Sequence, residues 1–158
     1  MTATSTPTTS SAPGPGGAVD VRAVAMSYFD ELTNKRDVDF VDRLFTPDIA
    51  FHDPARVPNG VARGIPEVKQ FFTIFFKVFP DLHFGIDDFF CEGNKVAIRF
   101  TWTGTYRKRF LGITWKKRHV SVPGIDIFHL RGDRICEVQV AFDRFTLVEQ
   151  LGGVENPF

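Results

Sequence analysis

The spacing of apolar residues changes near Pro80, and this change limits the fold more than any other feature of the chain. Before Pro80, apolar residues recur at steps of three and four, which predicts helices around one short strand. After Pro80 they alternate, which predicts a run of strands. Helices that precede adjacent antiparallel strands are typical of the α+β class. We therefore predict three N-terminal helices packed on one curved, mainly antiparallel sheet.

The predicted elements follow one another in the order ααβαββββ. The helices begin near Val19, at Asp37 and near Pro66, where Asp is a suitable N-cap and Pro suits a first turn. A short strand over residues 49–53 separates the second and third helices. The later strands are predicted from Leu82 to a turn at 92–94, and over 96–106, 118–130 and 134–142, with a short helical segment at 147–151.

The N-terminal segment differs in composition from the rest of the chain. Residues 1–17 are nearly all Thr, Ser, Pro, Gly and Ala, which cannot bury enough apolar surface to offset their chain entropy. We predict a disordered tail over residues 1–17 and one domain over residues 18–158. The tail lacks the basic start and apolar stretch of a secretory signal.

Charge and cysteine content argue against several classes of function. Nineteen basic residues balance nineteen acidic residues, so we predict neither nucleic-acid nor membrane binding. No apolar run approaches the ~18 residues that span a bilayer. The spacing of His, Cys, Asp and Glu suggests no metal site, and we expect no cofactor. The two cysteines are interpreted as reduced thiols of a cytoplasmic protein.

One acidic residue interrupts the predicted strand VPGIDIFHL, residues 122–130. A hairpin turn centred on Gly132 would place Asp126 opposite Val138, on the more apolar face of the hairpin. Burial there would raise the pKa of Asp126 and keep it neutral, as a hydrogen-bond donor. In the alternative, a register slipped by one residue leaves Asp126 in solvent or paired with an Arg. The predicted face also carries Phe128, Leu130, Cys136, Val140 and Phe142.

Several segments resemble one group of proteins. They are Tyr28 with Leu32, LFTPDIAFHDP (44–54), the G-x-x-x-V-x-x-F start of the third helix (64–71), FLGI (110–113), VPGIDIF with GDRI (122–135), and FDRFTLVEQLG (142–152). From about residue 20 to 152 the chain resembles SnoaL-like polyketide cyclases and ketosteroid isomerases, of the nuclear transport factor 2-like superfamily. This resemblance implies a cone-shaped fold and a homodimer formed through the outer sheet face.

The resemblance also implies functions for three residues. Asp53 corresponds to the general base of the isomerases, and Asp126 and Tyr28 correspond to their oxyanion-hole donors. Each residue has a simpler interpretation as well: Asp53 as the opener of an Asp-Pro turn, and Tyr28 as a core residue bonded to a carbonyl. The cyclases carry a His where this chain has Asp126 and a catalytic Asp where it has Val140, so the differences favour isomerase-like chemistry.

Aromatic and aliphatic residues would line the pocket around these groups. The predicted lining residues are Phe72, Phe75, Phe100, Trp102, Phe128, Val138 and Val140. The loop RKRFLGITWKKR (107–118) holds six basic residues. It would dock an acidic carrier protein, admit an anionic substrate, or form only a solvated hairpin.

We therefore expect a cofactor-independent acid–base enzyme that isomerises or cyclises a hydrophobic carbonyl compound through an enolate. The substrate would be a polyketide or a related secondary metabolite. One alternative is an epoxide hydrolase or cyclic-ether-forming enzyme, with Asp81 as the nearest second acid to Asp53. The other is a non-catalytic dimer that binds small molecules, in which Asp126 titrates normally.

Overall fold

The computed structural model describes residues 17–55, 59–107 and 118–154, and its elements confirm the predicted α+β class. The helices are α1 (Val21–Ser27), which continues as a π-helical turn (Tyr28–Thr33), α2 (Val41–Leu44), which follows a 3₁₀ turn (Val38–Phe40), α3 (Gly64–Val78) and α4 (Arg144–Leu151). The strands are β1 (Phe45–His52), β2 (Val61–Arg63), β3 (His83–Glu92), β4 (Lys95–Thr105), β5 (His119–Arg131) and β6 (Arg134–Phe142).

The prediction of three N-terminal helices is only partly matched. The first helix begins as expected, since Asp20 Oδ1 accepts a hydrogen bond from the Ala23 N–H at 3.1 Å. The second is reduced to a 3₁₀ turn and one turn of α-helix, because β1 begins at Phe45. The third is the regular fifteen-residue α3. The predicted tail, residues 1–17, lies outside the described residues except for Gly17.

A π-helical turn closes the first helix and buries Tyr28. The Asn34 N–H donates to the Phe29 carbonyl at 2.8 Å, five residues back, and the Thr33 hydroxyl donates to the same carbonyl at 3.0 Å. Such turns are rare, and many occur at functional sites. Tyr28, Phe29, Leu32 and Thr33 are all buried in this turn, which packs them against the sheet.

In the described part of the chain, six strands form one sheet in the order β2–β1–β6–β5–β4–β3. All neighbouring pairs are antiparallel except β1 and β6, which are parallel. The sequence analysis missed β2, because three residues are too few to show an alternating pattern. Most of the core lies between one sheet face and the helices, and the opposite face is the outer face.

The register predicted for Asp126 is wrong by two residues. Asp126 pairs with Val140, and Phe128 pairs with Val138. The hairpin turn consists of two residues, Gly132 and Asp133, rather than being centred on Gly132. In addition, Cys136 is an extra residue in a β-bulge of β6. Because a shift of two keeps the same face, Asp126 is still buried, with 1% of its surface exposed. The bulge turns Cys136 away from the buried face, and Ile135 takes its place.

Gly124 in β5 leaves room for a buried aromatic ring. A Cβ atom at this position would lie 2.6 Å from Phe100 Cζ and 3.0 Å from the Ala141 carbonyl oxygen. We expect Gly124→Ala to lower the free energy of unfolding by about 1–3 kcal/mol, as overpacking does. Urea titration measures this loss. Gly85→Ala in β3 is the matched control, because its Cβ would meet only the Thr101 carbonyl oxygen at 3.7 Å. Equal stabilities of the two variants would contradict the expected clash.

Candidate active site

A cavity of about 620 Å³ lies between the buried sheet face and helices α3 and α4. Most of its wall is aromatic or aliphatic. Five of the predicted lining residues lie in this wall: Phe72, Phe75, Phe100, Trp102 and Val140. Four ionisable side chains line the same cavity: Tyr28, Asp53, Tyr106 and Asp126.

Two predicted lining residues lie in the core instead. Phe128 is covered by the rings of Tyr28 and Phe29, whose centroids are 5.0 Å and 6.0 Å from its own. Val138 is fully buried beside Phe51 and Phe128. Both share the face of Asp126, but the first helix covers that part of the face, and so the cavity begins only beyond it.

Asp126 is a buried acid with an unused oxygen. Its neighbours in the sheet are Ile98 and Val140, which offer no polar side chain. Among the residues that the structure describes, none makes a hydrogen bond with Asp126 Oδ1. Burial raises the pKa of Asp126 well above its usual range, and the charge of Asp53 raises it further. Burial therefore favours the protonated, neutral form of Asp126, and its Oδ1 is available to a ligand.

Asp53 directly follows β1 and holds the turn after it. Its Oδ1 accepts the Ala55 N–H at 2.7 Å, and its own N–H donates to the Gly60 carbonyl at 3.0 Å. Only 7% of its surface is exposed. Burial raises the pKa of Asp53 to about 6, although the Ala55 hydrogen bond and the charge of Arg144 act to lower it. Asp53 thus both opens a turn and faces the cavity, and at neutral pH it is mostly ionised.

Tyr28 is packed among aromatic rings at the wall of the cavity. Burial raises the pKa of its hydroxyl well above the usual range, and the carboxyl groups of Asp126 and Asp53 raise it further. The hydroxyl therefore stays protonated and can donate a hydrogen bond. The rings within 6.5 Å of the Tyr28 ring are those of Phe29, Phe45, Phe51, Phe72 and Phe128.

The three groups form a chemically complete set for proton transfer. Two neutral donors, Tyr28 and Asp126, can stabilise negative charge that develops on a carbonyl oxygen. One ionised carboxylate, Asp53, can accept and return a proton. The apolar wall strengthens each of these interactions, because it excludes water.

Other candidate residues lie outside this cavity. Asp81 accepts the Thr105 N–H and the Thr105 hydroxyl, both at 2.6 Å, on the surface. These bonds lower the pKa of Asp81, so it is not a second acid for Asp53. Residues 108–117 of the basic loop lie outside the described part of the chain. His52 and His129 both pair with Glu137, away from the cavity.

Among the described residues, no group of three or more His, Cys, Asp or Glu could hold a metal ion. Within residues 17–55, 59–107 and 118–154, no helix is long and apolar enough to cross a bilayer.

The sequence analysis missed several lining residues on two helices. Gln70, Ile74 and Val78 lie four residues apart on α3, beside the Phe stripe. Leu147, Val148 and Leu151 lie on one face of α4. Their steps of three and four residues match a helix face and could have revealed them.

Comparison with known families agrees with the resemblance seen in the sequence. The family model described as SnoaL-like polyketide cyclase matches residues 23–151. The chain belongs to the SnoaL-like polyketide cyclase family. No curated protein gave a significant match.

Several solved structures match most of the chain over most of their own length. TsrD of Streptomyces laurentii is 27% identical with a TM-score of 0.72, covering 85% of this chain and 96% of TsrD. A candidate SnoaL-like polyketide cyclase of Jannaschia sp. is 22% identical with a TM-score of 0.75, covering 85% and 92%. Wild-type IdmH of Streptomyces antibioticus, a candidate polyketide cyclase, is 24% identical with a TM-score of 0.73, covering 84% and 99%. These similarities confirm the predicted superfamily fold.

Proposed function

We propose that this family member is a cofactor-independent acid–base enzyme that isomerises or cyclises a hydrophobic carbonyl compound. The observation that carries the proposal is the placement of a neutral acid, Asp126, an ionisable base, Asp53, and a protonated hydroxyl, Tyr28, in one apolar cavity. Pairs of carboxyl groups whose environments separate their pKa values are typical of acid–base enzymes.

In the proposed reaction, the Asp53 carboxylate removes a proton from a carbon next to the substrate carbonyl. The electron pair of that C–H bond moves to the carbonyl oxygen and forms an enolate. Tyr28 and Asp126 donate hydrogen bonds to this oxygen and lower the barrier. The enolate then takes the proton back from Asp53 at another carbon of a conjugated system. Alternatively, its carbon attacks a second carbonyl and closes a ring, and the alkoxide that forms takes the proton from Asp53.

The lining of the cavity is suited to a flat, apolar substrate. Apart from the ionisable groups, its lining is dominated by aromatic rings, among them Phe75, Phe79 and Trp102. A volume of about 620 Å³ is within the usual range for small-molecule sites. We therefore infer a polyketide or related compound of several fused rings, with its reacting carbonyl directed toward Asp126.

Hydrogen exchange at carbon tests this proposal without knowledge of the natural substrate. Polycyclic β,γ-unsaturated ketones are incubated with the protein in D₂O, and deuterium uptake next to the carbonyl is followed by NMR. Because the base must be ionised, the rate should rise as the pH increases through about 6, the pKa of Asp53, and then level off. A protein-dependent rate that stays constant between pH 5 and 8 would contradict the assignment of Asp53.

Epoxide opening is a second candidate that the same pair of carboxyl groups favours. Asp126 would protonate the epoxide oxygen, and Asp53 would direct a water or a substrate hydroxyl to the carbon. Asp81 cannot act with Asp53 in this reaction, because Asp81 binds Thr105 on the surface, outside the cavity. Product analysis on an epoxide and on an enone of similar shape separates the two reactions.

A non-catalytic binding module is favoured less than either reaction. That hypothesis expects Asp126 in solvent with an ordinary pKa, whereas Asp126 is buried and its pKa is raised. A homodimer remains part of the proposal, and the half-exposed Ile125 and Ile127 on the outer face of β5 support it. Docking of an acidic carrier protein to residues 107–118 remains a prediction from sequence alone.

A further inference from the structure

Tyr106 lines the cavity at the end remote from the three groups of the proposed reaction. It directly follows β4, in which Ile98 pairs with Asp126 and Trp102 pairs with Val122. Tyr106 is eight residues beyond Ile98, which corresponds to about 26 Å along an extended strand. An even number of residues separates the two, so both belong to the buried face of the sheet. The cavity thus has a second end, at which Tyr106 supplies a hydroxyl.

The neighbours of Tyr106 at this end are aromatic or aliphatic. The ring of Phe79 lies edge-on to the rings of Tyr106 and Trp102, with centroids 5.7 Å and 5.0 Å away. Phe79 comes this close to the sheet because residue 104 is Gly, at which a Cβ atom would lie 3.1 Å from Phe79 Cδ1. Val78 lines the cavity beside these rings. The hydroxyl of Tyr106 is therefore a polar group in an apolar part of the wall, on a residue that is only 7% exposed.

Hydrogen bonds to two other segments hold the backbone at Tyr106. The Tyr106 N–H donates to the Arg118 carbonyl, directly before β5, at 3.1 Å. The next N–H, that of Arg107, donates to the carbonyl of Val78 at the end of α3, at 3.0 Å. A side chain on a backbone that is fixed in this way can position a ligand group more precisely than one on a free loop.

The hydroxyl of Tyr106 makes no hydrogen bond with any residue that the structure describes. A tyrosine hydroxyl can both donate and accept, and a buried one usually has a partner. Sites for small molecules place a few polar groups in an apolar wall, and these groups fix the orientation of the ligand. A buried hydroxyl without a protein partner, in the wall of such a cavity, is suited to an oxygen of the ligand.

We propose that Tyr106 is a specificity-determining residue, whose hydroxyl binds a second oxygen of the substrate, a hydroxyl or a carbonyl, at the end remote from the reacting carbonyl. This inference rests on the proposed function, which places the reacting carbonyl beside Asp126. The substrate is then oxygenated at both ends and apolar between them. Its two polar ends fix its direction in the cavity, so that the carbon to be deprotonated faces Asp53.

Two probes that differ by one oxygen test the inference through binding alone. Both are fused-ring α,β-unsaturated ketones, and one carries a hydroxyl on the ring farthest from the ketone, where the other carries hydrogen. Isothermal titration calorimetry measures the two dissociation constants. Wild type should bind the hydroxylated probe about 5–20-fold more tightly, because the other probe leaves the Tyr106 hydroxyl without a partner. Tyr106→Phe keeps the ring and its contact with Phe79, and it should lose this preference.

Tyr28→Phe is the matched control, because it removes a hydroxyl at the opposite end of the cavity. It should weaken the binding of both probes alike and keep the wild-type ratio of their dissociation constants. The inference would be overturned if wild type bound both probes equally or bound neither. It would also be overturned if Tyr106→Phe kept the wild-type ratio, or if Tyr28→Phe lost it. The proposed function fails separately, if Asp53→Asn leaves turnover intact.

Discussion

Replacing Asp53 by Asn should lower turnover by about 10²–10⁴-fold, the usual contribution of a general base, while the domain stays folded. The amide oxygen of Asn can still accept the Ala55 N–H, which Asp53 Oδ1 accepts at 2.7 Å, so the turn after β1 is retained. The amide cannot take a proton from carbon. Deuterium uptake by a bound ketone measures the loss, and thermal melting followed by circular dichroism checks the fold.

Asp37→Asn is a matched control for this substitution. Asp37 also accepts a backbone N–H through its side chain, that of Asp39 at 3.1 Å, but it caps a surface turn outside the cavity. The control variant should exchange hydrogen at the wild-type rate. If Asp53→Asn and Asp37→Asn were equally active, Asp53 would be a turn residue only.

Replacing Asp126 by Asn should stabilise the domain, and the gain should grow with pH. The raised pKa of the folded Asp126 means that the folded state holds its proton where the unfolded chain has lost it. The stability contributed by Asp126 is therefore complete below about pH 4 and is lost as the pH rises toward its folded pKa. Asn does not ionise, so the variant does not lose stability in this way as the pH rises. The advantage of the variant should increase by about 1.4 kcal/mol per pH unit in this window.

Urea unfolding of wild type and variant at a series of pH values from 4 to 8 measures this difference. Asp133→Asn, in the exposed turn between β5 and β6, is the control and should show no such trend. If the free energies of unfolding of Asp126→Asn and wild type differed by the same amount at every pH, Asp126 would ionise as freely in the folded state as in the unfolded chain. A chain that keeps a destabilising buried acid is expected to use it.

Much of the fold followed from local patterns. The alternation in β4 and β5 and the Phe stripe of α3 are long enough to be recognised, and the burial of these elements agrees with both patterns. The π-helical turn at Tyr28 and the bulge at Cys136 were not foreseen, because each depends on tertiary packing rather than on residue spacing. The three residues of β2 are strand only because β1 lies beside them.

The candidate site was predicted in its chemistry more than in its shape. Asp126 was recognised because it is the one acidic residue in an apolar strand. The roles of Asp53 and Tyr28 were predicted from the family resemblance. Phe128 packs against the first helix instead of lining the cavity. The position at which that helix crosses the sheet decides this, and it cannot be predicted from a local sequence pattern.

The bulge at Cys136 has a consequence for how relatives of this chain can diverge in length. The bulge absorbs one extra residue, so that Ile135 and Val138, three positions apart, both face inward. Loss of Cys136 would leave a regular ladder in which Ile135 still opposes Leu130 and Val140 still opposes Asp126. Loss of one residue between Val138 and Val140 would instead turn Val140 away from Asp126. Single deletions should therefore be tolerated at the bulge and selected against beyond it.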